Sequence, residues 1–119
     1  TMLGFAGSPW TVATYMIAGE GSKDQGAARL LAYRDPARMQ AICDAIADVS
    51  ITYLRGQIDA GAEAVQLFDS WSGSLAPDEF ERWVIAPNAK ITAAIKQSHP
   101  ETPVIGFPKG AGAKLPSYA

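Results

Sequence analysis

The stretch Val65–Trp71 (VQLFDSW) decides the fold that the sequence predicts. Its apolar residues follow one another without regular alternation, which is typical of a strand buried on both faces of a parallel sheet. An acid, a hydroxyl and an indole end the strand, and the Gly/Ser-rich run Ser72–Pro77 follows. In α/β proteins, ligand-binding residues gather just beyond the carboxyl ends of parallel strands. We therefore predict a buried strand that ends at a site.

Two further segments repeat this pattern of an apolar strand followed by a glycine-containing loop. They are Leu3–Thr11 before the central stretch and Val104–Gly110 after it. Helical segments separate the three strands, and crossover helices of this kind join parallel strands. The sequence therefore predicts an α/β fold with about three parallel strands alternating with helices.

Proline positions mark where the helices begin and break. Ser8 and Asp35 each precede a proline, so each is a predicted N-cap with proline at the first helical position. A third helix is predicted to begin near Pro77, and Pro87 should kink or interrupt it. The second of these helices carries an apolar stripe at three-and-four spacing and should end at Gly61. The stripe consists of Met39, Ile42, Cys43, Ile46, Val49, Tyr53, Leu54 and Ile58.

Composition excludes several classes of function. The 119 residues are 48% hydrophobic and carry a net charge of −2, which gives no support to binding of nucleic acid or of a membrane surface. No apolar run reaches the roughly 20 residues that span a bilayer, and no signal peptide is visible. A single cysteine cannot form an internal disulfide. We expect a cytoplasmic protein without a membrane segment.

The two ends of the sequence are unusual for a complete domain. The chain opens almost directly in a strand, and Pro116 resembles the start of a helix that has no room to continue. A sheet of three parallel strands would also expose edges that such folds normally cover. We expect residues 1–119 to be a single fragment of a larger barrel domain.

Ordered motifs along the whole chain resemble those of the uroporphyrinogen decarboxylase family. They are Gly4–Thr11 (GFAGSPWT) with Tyr15-Met16 and Gly19–Ser22 behind it, Gly61–Trp71 (GAEAVQLFDSW), and Val104–Gly110 (VIGFPKG). The resemblance implies a (β/α)8 TIM barrel, of which this chain would be the middle portion. It also implies cofactor-free decarboxylation of the acetate side chains of uroporphyrinogen to coproporphyrinogen, with no metal and no organic cofactor.

The resemblance assigns a substrate site to three residues. Tyr15 and Ser70 would line the pocket, and Phe5 would pack against the tetrapyrrole. Neutral hydroxyls can hydrogen-bond substrate carboxylates or pyrroles without adding negative charge, and an aromatic face can cover the macrocycle. From the residues alone, Tyr15 could instead be an amphipathic helix residue, Ser70 a loop cap and Phe5 a core residue. Both readings stay open at this point.

Several groups that the reaction would need are not found in this sequence. The substrate of the family carries eight carboxylates, yet the chain has 10 Lys and Arg against 12 Asp and Glu and no evident cationic clamp. Asp69 could be a pocket residue or could support one, and Lys109 could meet an acidic substrate or be a solvated loop lysine. Cys43 is predicted to be a small core residue and His99 to be solvated. The isolated chain is therefore expected to lack turnover.

Two alternatives belong to other classes. The exposed sheet edges and apolar stripes would suit a non-catalytic fragment that self-associates, and for the same reason we expect a homo-oligomer. Cobamide and coenzyme M methyltransferases share the barrel and carry a zinc-binding His-x-Cys near the end of the strand that corresponds to the one beginning at Val104 here. Gly106–Gly110 contains neither residue, so the sequence favours the decarboxylase.

Overall fold

The computed structural model describes residues 2–18, 26–70 and 75–109. Three strands alternate with helices along the chain. They are β1 (Leu3–Gly7), α1 (Pro9–Ala18), α2 (Gly26–Arg34), α3 (Pro36–Asp59), β2 (Ala64–Asp69), α4 (Pro77–Phe80), a π-helical turn (Glu81–Ile85), α5 (Ala86–Ser98) and β3 (Val104–Pro108). Of the features named above, the motif Gly19–Ser22 and the residues Trp71 and Pro116 lie outside the described residues.

The three strands form one parallel sheet in the order β1-β2-β3. β1 pairs with β2 so that Phe5 lies opposite Gln66, and β2 pairs with β3 so that Phe68 lies opposite Phe107. This arrangement confirms the predicted α/β class with three parallel strands alternating with helices. It fits one part of a (β/α)8 barrel, in which each strand is followed by a helix.

Among the described residues, the helices cover one face of this sheet and leave the other open, and the main core lies between the covered face and the helices. Val65 and Leu67 of β2 point into it, whereas Phe68 between Leu67 and Asp69 is exposed. The core cluster consists of Ala6, Ala47, Ile51, Leu54, Val65, Leu67, Ile91 and Ile95. The prediction that β2 is buried on both faces is therefore wrong. Its side chains alternate between a covered face and an open face, as the period of two in any strand requires.

Helix α3 begins and ends as the sequence predicts. The Asp35 side chain accepts a hydrogen bond from the backbone N–H of Arg38 at 3.2 Å, and Pro36 takes the first helical position. Gly61 follows the C-cap with a φ of +119°, a conformation that favours glycine. The predicted stripe is wrong at Val49 and Tyr53, which are 70% and 57% exposed. The helix leaves these two side chains exposed and buries Ala47, Ser50 and Ile51 instead.

Pro87 breaks the third helical segment as expected. The break takes the form of a π-helical turn over Glu81–Ile85, in which the N–H of Ala86 donates to the carbonyl oxygen of Glu81. Proline has no N–H, and its ring would clash with the carbonyl four residues earlier in a regular α-helix. A wider turn just before Pro87 relieves that clash, and α5 then continues to Ser98, directly before His99.

A second core lies among the helices and holds Trp10 and Trp83, the two largest buried side chains of the described residues. Cys43 is fully buried there, which confirms its predicted place in the core. Ser8 holds the N-cap position of α1, since its carbonyl accepts from the N–H of Val12 at 3.0 Å. Its hydroxyl, however, makes no hydrogen bond with a described residue, so the predicted side-chain cap is wrong.

Candidate functional site

The face of the sheet opposite the helices carries a row of three phenylalanine rings. Phe5 on β1 meets Phe68 on β2 with ring centroids 5.9 Å apart, and Phe68 meets Phe107 on β3 at 6.2 Å. Both pairs are edge-to-face, an arrangement favoured by the charge distribution of aromatic rings. Gln66 and Ile105 lie on the same face one register row away, opposite Phe5. The row forms an apolar surface with one amide, open to a flat or bulky apolar ligand.

The carboxyl end of β2 is fixed by its neighbours on both sides. The carbonyl oxygen of Phe68 accepts from the N–H of Ser8 at 2.8 Å, just after β1. The carbonyl oxygen of Asp69 accepts from the N–H of Lys109 at 3.1 Å, just after β3. Ser70 follows in a turn and is exposed, as is Lys109. A hydroxyl and an ammonium group therefore stand at the same edge of the sheet, two residues beyond the aromatic row in β2.

The carboxyl group of Asp69 points to the helix side of the sheet and is completely buried. Thr11 Oγ1 donates a hydrogen bond to Asp69 Oδ1 at 2.6 Å, and Asn88 Nδ2 donates to Oδ2 at 3.4 Å. Burial raises the pKa of Asp69 to about 6, and the hydrogen bonds from Thr11 and Asn88 counter part of that rise. The Asp69 carboxyl group therefore lies on the helix side of the sheet, at the carboxyl end of β2, and does not line the open face.

Tyr15 lies on α1, in the helix layer, with 45% of its side chain exposed. It is one helical turn beyond Thr11, so the two side chains are on the same side of α1. Of the three predicted site residues, Phe5 is on the open face and Ser70 is at the edge just beyond β2. Tyr15 is linked to that edge through α1 and the Thr11–Asp69 hydrogen bond.

Sequence reasoning missed two members of the aromatic row, Phe68 and Phe107. The signal was present in the period of two: Phe68 lies between the buried Leu67 and Asp69, so a strict alternation would have placed it on the other face. What the sequence could not supply was the register between strands. Only the pairing of Phe68 with Phe107 brings residues from distant segments into one row.

A second apolar feature is a groove of about 470 Å³ beside β1, the outer strand of the described sheet, between α1 and α3. It is lined by Phe5, Ala6, Gly7, Val12, Met16, Ala45, Ile46, Val49, Ser50 and Tyr53. Gly7 allows α1 to approach, because a Cβ at this position would come within 2.8 Å of Val12 Cγ2. The groove shares only Phe5 with the aromatic row, so the two surfaces meet at that residue.

Neither a metal site nor a membrane span appears in the part of the chain that the structure describes. Within residues 2–18, 26–70 and 75–109, no three His, Cys, Asp or Glu side chains come together as metal ligands. In the same ranges, every helix is too short or too polar to cross a bilayer.

His99 is partly buried and contacts Asp59 through Nε2 at 2.9 Å, so the prediction that it is simply solvated is wrong.

A parallel sheet with crossover helices and polar residues at its carboxyl edge is the layout of α/β barrel proteins. Residues 1–119 match the model of the family described as Uroporphyrinogen decarboxylase (URO-D). The chain belongs to the uroporphyrinogen decarboxylase family.

Curated relatives carry the same name. The chain is 73% identical to the uroporphyrinogen decarboxylase of Erythrobacter litoralis, 71% to that of Novosphingobium aromaticivorans and 70% to that of Sphingopyxis alaskensis. Each match covers all of this chain and 35% of the relative. The chain thus spans about a third of the length of the curated relatives it matches, and it corresponds to part of such a protein.

Proposed function

We propose that this chain is part of a uroporphyrinogen decarboxylase, a carboxy-lyase of haem and porphyrin biosynthesis. The reaction would be the cofactor-free decarboxylation of the acetate side chains of uroporphyrinogen to give coproporphyrinogen. The observation that carries the proposal is the row of Phe5, Phe68 and Phe107 on the open face, next to the edge that holds Ser70. The name shared by relatives at 70% identity or more supports the same substrate.

The chemistry explains the residues of this surface. When a pyrrole acetate loses carbon dioxide, the electron pair left behind must be held by a protonated pyrrole ring. An acid must then protonate the exocyclic methylene carbon to form the methyl group, and the ring gives up its extra proton. A site for this step should hold the macrocycle in an apolar environment, because a low dielectric strengthens interactions with the developing charge. Three aromatic rings side by side provide such an environment for one face of the tetrapyrrole.

We assign distinct roles to the predicted site residues. Phe5 would pack against the macrocycle together with its ring neighbour Phe68. Ser70 and Tyr15 would donate hydrogen bonds to carboxylates or pyrroles, and their neutral hydroxyls would add no negative charge beside an acidic substrate. Lys109, exposed at the same edge as Ser70, would supply one cation for a substrate carboxylate.

The isolated chain should bind substrate more readily than it turns it over. The relatives are about three times as long, and the family resemblance puts the acid and most of the cations outside this sequence. We propose that residues 1–119 form one part of a single barrel domain whose remaining strands supply those groups. The relatives named above are decarboxylases, which leaves the methyltransferase and the self-associating alternatives without support.

Equilibrium binding of uroporphyrinogen, measured under anaerobic conditions, tests the proposal directly. Replacing Phe68 by leucine removes the central ring and both edge-to-face contacts, so we expect binding about three- to tenfold weaker. Tyr33→Leu is the matched control, because Tyr33 is an exposed aromatic residue on α2, away from the open face. The proposal fails if the chain folds but does not bind, or if both variants weaken binding equally.

We also propose that the protein acts in the cytoplasm as a homo-oligomer. The buried, unpaired thiol of Cys43 is compatible with a reducing compartment. The groove at the β1 edge is an apolar surface that a further chain could cover. Cell fractionation tests the location, and light scattering over a range of concentrations tests the assembly. A mass that stays monomeric would contradict the second claim.

A further inference from the structure

The carboxyl group of Asp69 joins three elements of the fold. It stands at the last residue of β2 and accepts hydrogen bonds from Thr11 on α1, at 2.6 Å, and from Asn88 on α5, at 3.4 Å. The backbone of the same residue is tied to Lys109 after β3. The peptide that precedes Ser70 is therefore held from the helix layer as well as from the neighbouring strand.

A carboxyl group is costly to bury at this position. Its desolvation disfavours the charged form, which is why the pKa of Asp69 is raised to about 6. An apolar side chain of similar size would avoid this cost, but it would take the Asp69 acceptor from the buried donors Thr11 Oγ1 and Asn88 Nδ2. What such a side chain could not do is hold Thr11 by a directional hydrogen bond.

That hydrogen bond connects the two hydroxyl residues of the predicted site. Ser70 directly follows Asp69 in the chain, and Tyr15 is one helical turn beyond Thr11. The Thr11–Asp69 contact therefore sets how far α1, with Tyr15, stands from the strand end with Ser70.

We propose that Asp69 is a positioning residue that fixes Ser70 relative to Tyr15 for tetrapyrrole binding. This inference rests on the proposed function. Its carboxyl group lies on the helix side of the sheet, so Asp69 would act through Thr11, Asn88 and the strand end that it anchors and not by contact with the ligand.

The proposal makes stability and binding respond differently to substitution. Asp69→Leu has a similar size but removes both acceptors, so uroporphyrinogen binding should weaken about tenfold even under conditions in which the variant is fully folded. Asp69→Asn retains one oxygen that can accept from Thr11 and should restore most of the binding. A merely structural residue would show binding that falls in step with stability.

A double-mutant cycle with Thr11 keeps the test decisive even if Asp69→Leu does not fold. Thr11→Val removes the hydroxyl and keeps the shape, so it should weaken binding, and combining it with Asp69→Ala, which also removes the interaction, should add little further loss. Thr14→Val is the matched control, because Thr14 is a buried threonine of α1 that donates to the carbonyl of Thr11. Equal binding by Thr11→Val and wild type would overturn the proposal and leave the proposed function intact.

A second readout needs no ligand at all. The amide resonance of Ser70 and the ring resonances of Tyr15 should shift in Thr11→Val, whereas Ser70 should stay in place in Thr14→Val. If the wild-type chain failed to bind uroporphyrinogen, the proposed function would fall, and these resonances would still decide the positioning role. Unchanged Ser70 resonances in Thr11→Val would contradict that role.

Discussion

The side-chain amide of Gln57 hydrogen-bonds both backbone groups of Phe5. The N–H of Phe5 donates to Gln57 Oε1 at 2.8 Å, and Gln57 Nε2 donates to the carbonyl oxygen of Phe5 at 3.0 Å. A neighbouring strand would use the same two groups in its ladder. Among the described strands, β1 is at the edge of the sheet, so one glutamine of α3 occupies the position of an absent strand.

Removing this amide should promote association between chains through the exposed edge of β1. In Gln57→Leu the backbone groups of Phe5 lose their partners, and an exposed strand edge invites pairing with another chain. We expect light scattering to show a larger mass, and the free energy of unfolding to fall by about 1 kcal/mol. Gln40→Leu is the control, since Gln40 bonds only Asp44 within α3. Equal masses for the two variants would contradict the role of Gln57.

Asp69 should make stability fall as the pH rises. Its pKa is about 6 in the folded chain against an ordinary value of 3.8, so the folded state binds the proton more tightly. The stability that this proton provides is complete below pH 3.8 and is lost as the pH rises through about 6. The loss is at most about 3 kcal/mol.

Urea unfolding at a series of pH values between 4 and 7 measures this effect. Other carboxyl groups also titrate, so the informative quantity is the difference between wild type and Asp69→Asn, which should favour the variant increasingly as the pH rises. Asp78→Asn, which replaces an exposed acid at the start of α4, is the matched control for the loss of one carboxyl group. A pH-independent difference for Asp69→Asn would contradict the linkage.

Arg55 should hold the C-terminal ends of α3 and α5 together. Its Nε donates to Ser98 Oγ at 2.9 Å and its Nη2 donates to the carbonyl oxygen of Ala94 at 3.0 Å. A lysine has one compact ammonium group and cannot reproduce this fork. We expect Arg55→Lys to lower the free energy of unfolding by about 1 kcal/mol in urea titrations. Arg38→Lys, at an exposed ion pair with Asp35, should cost less than half of that.

Cys43 should be inert in the folded chain. It is fully buried, and burial together with the charges of Asp44 and Asp69 raises the pKa of its thiol to about 12. The reactive thiolate is therefore almost absent at neutral pH. Labelling by a thiol reagent should be slow without denaturant and should become fast in urea, in parallel with unfolding. Rapid labelling of the folded chain would show that the core around Cys43 opens readily.

The sequence predicts the elements well because their signals are local. Asp35 with Pro36 marks the start of α3, Gly61 marks its end, and Pro87 marks the break before α5, each through backbone chemistry within a few residues. The family motifs also predict a barrel, and the observed three-strand sheet with crossover helices fits part of one.

The site is harder to predict because its contacts join distant residues. Thr11 and Asp69 are 58 residues apart, and Phe5 and Gln57 are 52 apart. Neither pair has a sequence signal, since any threonine can bond any acid that folding brings within reach. The exposure of Val49 has the same origin: helical periodicity defines a stripe, but only the packing of α3 on the sheet decides which edge of the stripe is covered.

The small residues Gly4 and Ala6 have a consequence for how the sheet forms. Both face the helix layer and are buried there, whereas Phe5 between them faces outward. A slip of β1 by one residue would exchange the two faces and force a phenylalanine ring into that layer. Even a single Cβ at position 4 would collide with the Gln57 side chain. The side chains of β1 thus favour the native register. A strand displaced by one residue would lose both the space for its side chains and the hydrogen bonds to the Gln57 amide.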